Sequence, residues 1–257
     1  MDWVERIHTS PALLALAERV RPGVHLTLRG AAGSSTTVLA GLLHRRLALP
    51  VLLVVAHLDE AADAAEELQD LSVPVRVLPA LEAAPGDSAG GLETALARLR
   101  ASDPADPCVT VAPIAALMQS VAAPKRRGRL RLEMKPGERR SPSALAEWLA
   151  GAGYRRVEAI ENPGDFAVRG GVVDCFPPAG QPPVRLDHFG DELESVHEID
   201  VATQASDRRL EGVELPCADG ARFAPQDGDP LPGTLLAADA LVVWAELSEI
   251  MEQARGY

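Results

Sequence analysis

The stretch that most constrains this chain runs from Asn162 to Gln204, NPGDFAVRGGVVDCFPPAGQPPVRLDHFGDELESVHEIDVATQ. Pro163-Gly164, Gly170-Gly171, Pro177-Pro178 and Pro182-Pro183 punctuate it, and each pair fixes or frees backbone angles as a turn requires. The pieces between them, Phe166–Arg169, Val172–Phe176 and Val184–Phe189, are of strand length. The segment is therefore expected to fold as short strands joined by tight turns.

Side chains alternate across a strand, so Val184, Leu186 and His188 share one face while Arg185, Asp187 and Phe189 share the other. The first face suits a core. The second sets a guanidinium, a carboxylate and a phenyl ring in a row, although Phe gains nothing from water. In the preceding strand Phe166 and Val168 point one way and Arg169 the other. If the strands pair, Arg169 joins Arg185 and Phe189 in one patch, with the arginine-plus-aromatic composition enriched at the energetic centres of protein interfaces. The alternative from the residues alone is that Phe189 is core after a bulge and both arginines make surface ion pairs.

The runs GDFAVRGGVVDCFPP and PVRLDHFGDELESVHEIDVATQ resemble the UvrB-interaction domain shared by the excision-repair protein UvrB and the transcription-repair coupling factor Mfd, over Gly151 to Glu211. The resemblance implies that this segment binds UvrA, and by position it assigns the contact to Arg169, Arg185 and Phe189. On that reading the arginines form charge-assisted, bidentate hydrogen bonds to carboxylates on UvrA, and Phe189 fills an apolar pocket. Where many relatives have a second aromatic, this chain has His188. The intact coupling factors also displace RNA polymerase by ATP-driven translocation on double-stranded DNA, through segments absent from these residues.

At 257 residues the chain is long enough for two compact domains. With only 4% aromatics the core is mainly Leu, Val and Ala, and an aromatic platform for single-stranded nucleic acid is not expected. A net charge of −12 argues against a surface that grips DNA all over. Cys108, Cys175 and Cys217 are odd in number and far apart, which suits reduced thiols better than a disulfide frame or a zinc site. The N-terminus has no apolar stretch of signal-peptide length and no apolar run approaches a membrane span, so a cytoplasmic location is expected.

Toward the N-terminus, Thr9-Ser10-Pro11 offers a cap and a first-turn proline for a helix to Val20. Val24–Leu28 is expected as a strand running into Gly30-Ala31-Ala32-Gly33-Ser34-Ser35-Thr36-Thr37 and a helix over Val38–Leu47. This is the layout of a phosphate-binding loop, but against G-x-x-x-x-G-K-[ST] Ser35 takes the last glycine's place and Thr36 the lysine's. The cation that reaches the outer phosphates is missing. Pro50–Ala56 reads as a buried parallel strand and Leu58–Leu71 as an amphipathic helix. Strand and helix recur at Val75–Leu78, Gly91–Arg100, Cys108–Val111 and Ile114–Ser120, the alternation of an α/β layer with crossover helices. Pro79–Gly91 reads as a flexible loop. Near the C-terminus Leu241–Trp244 reads as a buried strand and Leu247–Ala254 as a helix, with Ala245-Glu246 where an active ATPase carries an Asp-Glu pair for magnesium.

Between these regions KRRGRLRLEMKPGERR, Lys125–Arg140, holds eight Lys/Arg against Glu133 and Glu138. It is expected to be a solvated interdomain linker whose Leu130, Leu132 and Met134 enter the second domain as a strand; the alternative is contact with DNA phosphates. Ser141-Pro142 starts a helix through Leu149 that closes at Gly151 and Gly153. Leu193, Val196 and Ile199 are spaced by threes, which fits neither a clean strand nor a helix; the resemblance implies strand. Asp174, Asp187, Asp191, Glu192 and Glu194 are taken as surface acids. The histidines have no paired metal-ligand spacing, and no nucleophile has an adjacent base.

The expected fold is α/β, a degenerate P-loop, UvrB-like parallel-sheet domain with an inserted β-rich α+β UvrB-interaction domain. Its segments are 1–124, 125–215 and 216–257, the last an incomplete return to the first sheet; the chain is then either a fragment of a longer coupling factor or has a trimmed first domain. The expected function is a non-catalytic module that binds UvrA, with no catalytic residue, cofactor or metal. The alternatives are a UvrB-like ATP-dependent damaged-DNA-binding protein, or direct DNA binding through residues 125–140.

Overall fold

The computed structural model describes residues 6–7, 9–82, 89–102 and 107–256. The chain divides into two compact units, one formed by Met1–Leu81, Ala97–Val121 and Asp229–Tyr257, the other by Glu82–Leu96 and Ala122–Gly228. Of the expected Pro79–Gly91 loop, residues 83–88 lie outside the described residues, and its last residues already belong to the helix Ala89–Ala101.

The first unit is built on a parallel sheet of β1 (Val51–Val55), β2 (Val75–Val77), β3 (Val109–Pro113) and β12 (Leu241–Trp244), in the order β12-β1-β3-β2. All five residues of β1 are buried, as an unbroken VLLVV run requires when both sheet faces are covered. Alternate residues serve opposite faces. Val51, Leu53 and Val55 pack with Ala61, Ala64 and Leu68 of the helix Leu58–Asp70, and Leu52 and Val54 pack with Ile250 of the helix Leu247–Arg255. The helix Pro11–Arg19 starts as its sequence predicts, with the Ser10 hydroxyl accepting from the Leu13 amide and Pro11 in the first turn.

Two expectations fail in this unit. Val24–Leu28 forms no strand among the described residues, and Val24 and Leu28 stay about half exposed. The alternation of Val24, Leu26 and Leu28 records strand propensity, but both sides of β1 are already taken by β3 and β12. β12 itself is an edge strand, pairing among the described residues only with β1, so Leu241, Val242 and Val243 are half-buried rather than buried and Trp244 is exposed.

The second unit carries a six-stranded sheet in the order β10-β9-β8-β7-β6-β5. Its strands are β5 (Arg155–Arg156), β6 (Asp165–Arg169), β7 (Val172–Cys175), β8 (Val184–Phe189), β9 (Glu192–Ile199) and β10 (Ser206–Leu210). Every pairing is antiparallel except β5 with β6. The glycines where the hairpins turn, Gly170 and Gly190, have φ of 61° and 62°, a region costly for other residues. One sheet face buries Phe166, Val173, Cys175, Val184, Leu186 and Val196, and the helix Pro142–Gly151, capped by Ser141 as expected, packs on β5, β6 and β7.

The threefold spacing of Leu193, Val196 and Ile199 resolves as a bulged strand. The register of β8 with β9 passes from Asp187↔Ser195 to His188↔Leu193, so β9 holds one extra residue at Glu194. The bulge brings Leu193 and Val196 to the core face, while Ile199 joins Ile160 and Ala167 in a small cluster on the opposite face.

Lys125–Arg140 is not a linker. Pro124–Leu130 is a helix and Arg131–Met134 is β4, paired antiparallel with β11 (Val213–Pro216). Leu130 and Met134 are buried, and Arg131 lies 3.5 Å from both Glu133 and Glu214. Charge density misleads here because the apolar residues that anchor the segment are outnumbered by long cations whose charged ends reach water.

Candidate protein-binding surface

The register of the second sheet fixes which side chains share its outer face. Asp174 of β7 stands opposite Ala167 of β6 and Arg185 of β8; Val172 stands opposite Arg169 and Asp187; Arg185 and Asp187 stand opposite His197 and Ser195 of β9. One face therefore displays Arg169, Asp174, Arg185, Asp187, Ser195 and His197. The bulge lies in β9, so alternation along β8 is unbroken and Phe189 falls on that face as well.

Asp174 organises the centre of this face. Arg185 grips it with two parallel bonds, Nε to Oδ1 at 2.7 Å and Nη2 to Oδ2 at 2.9 Å, while Nη1 of Arg169 lies 3.5 Å from Oδ2. Arg169 also donates from Nη2 to the Glu158 carbonyl at 2.6 Å, and Nη1 of Arg185 reaches the Ser206 hydroxyl at 3.4 Å. The Asp174 side chain is only 2% exposed, against 19% for Arg185 and 49% for Arg169. The bonds to Asp174 raise the Arg185 pKa above its ordinary value, against the opposing pull of burial. Two guanidiniums and one carboxylate leave the trio with a formal charge of +1. Beside it the Ser195 hydroxyl donates to Asp187 at 3.1 Å, and Nδ1 of His197 lies 3.3 Å from the same carboxylate.

Phe189, at the end of β8, is 83% exposed. The reading that makes it core after a bulge is excluded, because the bulge is on the neighbouring strand. Both arginines are in ion pairs, as the second half of that reading has it, but the pair is with a buried acid. Asp174, taken as a surface acid from its sequence, is the residue that sequence reasoning missed. The alternation of β7 combined with the β7–β8 register identifies it, since Asp174 and Arg185 are cross-strand partners. Within the chain the two-pronged fork of Arg185 is already engaged by Asp174.

Elsewhere, the loop at residues 30–37 bonds in part to itself. The Ser35 hydroxyl accepts from the Ala32 amide at 2.8 Å and donates to the Ala32 carbonyl at 2.7 Å, while the Ser34 hydroxyl bonds to the Glu67 carboxylate. Thr36 and Thr37 are buried. On the basic segment Lys125, Arg129, Lys135 and Arg139 are exposed, and Arg126 donates to the Arg222 carbonyl at 2.8 Å.

One grouping was not legible from spacing. His57, Glu60 and Glu249 bring their ligand atoms within 4.8 Å of one another. Glu60 is, however, engaged in accepting from the amides of Ala56 and His57 at 3.0 and 3.1 Å. Both carboxylates lie in the first turns of helices, where the partial positive charge of the free amides already balances them.

Part of the chain is similar to known proteins. Residues 132–220 match the family described as the UvrB interaction domain. The chain is 37% identical over 107 residues to the transcription-repair-coupling factor of Escherichia coli strain K12, covering 42% of this chain and 9% of that protein. To the transcription-repair-coupling factor of Haemophilus influenzae it is 37% identical over 103 residues, 40% of this chain and 9% of the relative. With that of Bacillus subtilis strain 168 the match is 27% over 198 residues, 73% of this chain and 16% of the relative. The chain thus carries a UvrB interaction domain, and it spans only a small part of the length of these relatives.

Proposed function

We propose that this chain is a non-catalytic recruitment module of a transcription-repair coupling factor, binding UvrA and bringing nucleotide excision repair to lesions where RNA polymerase has stalled. The domain match and the named relatives support a role in coupling repair to transcription. The observation that carries the UvrA-binding part is the exposed Phe189 ring on the same sheet face as Arg169 and Arg185, both tied to one buried carboxylate. An exposed phenyl in such company gains free energy only by entering a partner's apolar pocket, with the guanidinium edges bonding to acceptors around it. Residues 125–215 form the UvrA-binding domain in this reading, 1–124 and 216–257 its UvrB-like support. Contacts to RNA polymerase and double-stranded DNA belong to other segments of the coupling factors, and the module works in the cytoplasm.

The absence of catalysis is part of the proposal. The support is the self-bonded loop. The Ala32 amide is used by Ser35, the Glu67 carboxylate sits against Ser34, and Thr36 stands in the place of a phosphate-binding lysine.

The test is equilibrium titration of the chain with UvrA. The Arg169→Ala, Arg185→Ala double variant is expected to bind on the order of thirtyfold more weakly, about 2 kcal/mol. Undiminished binding by that variant removes the proposed surface.

A further inference from the structure

We infer that Asp174 is the positioning residue of the partner surface: it holds Arg169 and Arg185 in the arrangement UvrA recognises, at the expense of the surface's own positive charge. The inference rests on the UvrA-binding reading above and goes a step further, because it assigns a role to a residue that the partner does not reach.

A carboxylate that is 2% exposed needs partners, since burying it alone is strongly unfavourable. Asp174 has two, one on each neighbouring strand, and among the described residues it is the single acid that contacts both arginines. Its effect on long-range attraction is adverse. It lowers the trio from +2 to +1, so for an acidic partner the trio would attract more strongly without it. Its effect on geometry runs the other way. The paired bonds at 2.7 and 2.9 Å fix the plane of the Arg185 guanidinium and leave Nη1 as the edge available to a partner, held in the free chain by a 3.4 Å contact to Ser206. Arg169, steadied by Asp174 on one nitrogen and by the Glu158 carbonyl on the other, remains about half exposed. Side chains already ordered in the free chain lose less conformational freedom on binding, which favours association. The matching partner surface presents single acceptors, carboxylate or carbonyl, around an apolar pocket, rather than a carboxylate that claims the whole Arg185 fork.

Charge and positioning predict opposite signs for one substitution. Asp174→Asn keeps the side-chain shape and adds one positive charge to the trio. If the surface works by charge alone, this variant binds UvrA more tightly, most clearly at low salt. If Asp174 positions the arginines, it binds at least tenfold more weakly at every salt concentration.

The experiment is titration of UvrA with the full chain as wild type, Asp174→Asn, Arg169→Ala/Arg185→Ala and the triple combination, at low and moderate salt, with the folded fraction of each checked by circular dichroism. Asp174→Glu is included as a variant that keeps the charge but displaces the carboxylate by one methylene; it too is expected to bind at least tenfold more weakly, and it decides the matter should Asp174→Asn not fold. The positioning role further predicts that Asp174→Asn adds less than a twofold effect once both arginines are gone, a readout that general destabilisation would not reproduce. Wild-type or tighter binding by both Asp174 variants overturns the inference, as does an equal loss from Asp174→Asn with and without the arginines. If the double-arginine variant itself binds like wild type, the UvrA reading falls, and this inference with it. If that variant is weak while the Asp174 variants bind normally, only the inference falls.

Discussion

Phe189 leaves most of its ring in water, so removing it takes little from the folded state while taking an anchor from a bound one. Phe189→Ala is therefore expected to change the free energy of unfolding by no more than about 0.5 kcal/mol, and to weaken UvrA binding on the order of thirtyfold. Paired melting and titration experiments check both halves; a lowered melting point with unchanged affinity would mean that the ring serves the fold. The contrast with Asp174 is instructive. Phe189 and the arginines were legible from side-chain alternation within single strands, because an apolar residue in a polar row is visible in the sequence. Asp174 was not, because an acid in a strand looks the same whether it faces water or a guanidinium. Only the register between β7 and β8, which is a tertiary fact, separates the two cases.

Among the elements, those of the second sheet follow most directly from local chemistry. The Gly-Gly and Pro-Pro pairs set β6, β7 and β8 nearly to the residue, whereas the bulge in β9 and the pairing of β4 with β11 come from contacts distant in sequence. Val24–Leu28 shows the converse: strand propensity by itself yields no strand among the described residues. Two predictions belong at this scale. A Cβ added at Gly171 would lie 2.8 Å from the His188 carbonyl, backbone of the paired strand, so Gly171→Ala must push β7 and β8 apart. It is expected to lower stability by about 1–3 kcal/mol and to weaken UvrA binding along with it, measurable by urea unfolding and titration. The second concerns the start of β6. Burial alone would raise the pKa of Asp165, but the Asn162 amide, the Arg155 guanidinium and the Glu161 amide hold it below its ordinary value. The folded state thus binds this proton less tightly than the unfolded chain. Its contribution is full above the ordinary aspartate value of about 3.9 and is lost as pH falls through the lower folded value. Urea unfolding from pH 6 down to pH 3 is expected to show a loss of stability that Asp165→Asn reduces; identical pH profiles for the two proteins would remove the assignment.

Across the whole chain, the parallel sheet and the β-rich sheet answer to two different sequence signals, unbroken apolar runs in one and punctuated alternation in the other. Among the described residues no helix is long and apolar enough to cross a membrane. The net charge of −12, with exposed cations such as Lys125, Arg129, Lys135 and Arg139 in the basic segment, predicts only weak attachment to DNA, abolished by moderate salt. In the proposed division of labour the first unit supports and the second recognises. The most direct measurement is the dissociation constant for UvrA of the chain and of its Arg169→Ala, Arg185→Ala, Phe189→Ala variant, taken side by side at one salt concentration. Saturable binding by the wild type, with a loss of thirtyfold or more in the variant at unchanged secondary structure, is the predicted result; equal affinities, or no binding by either, would contradict the account.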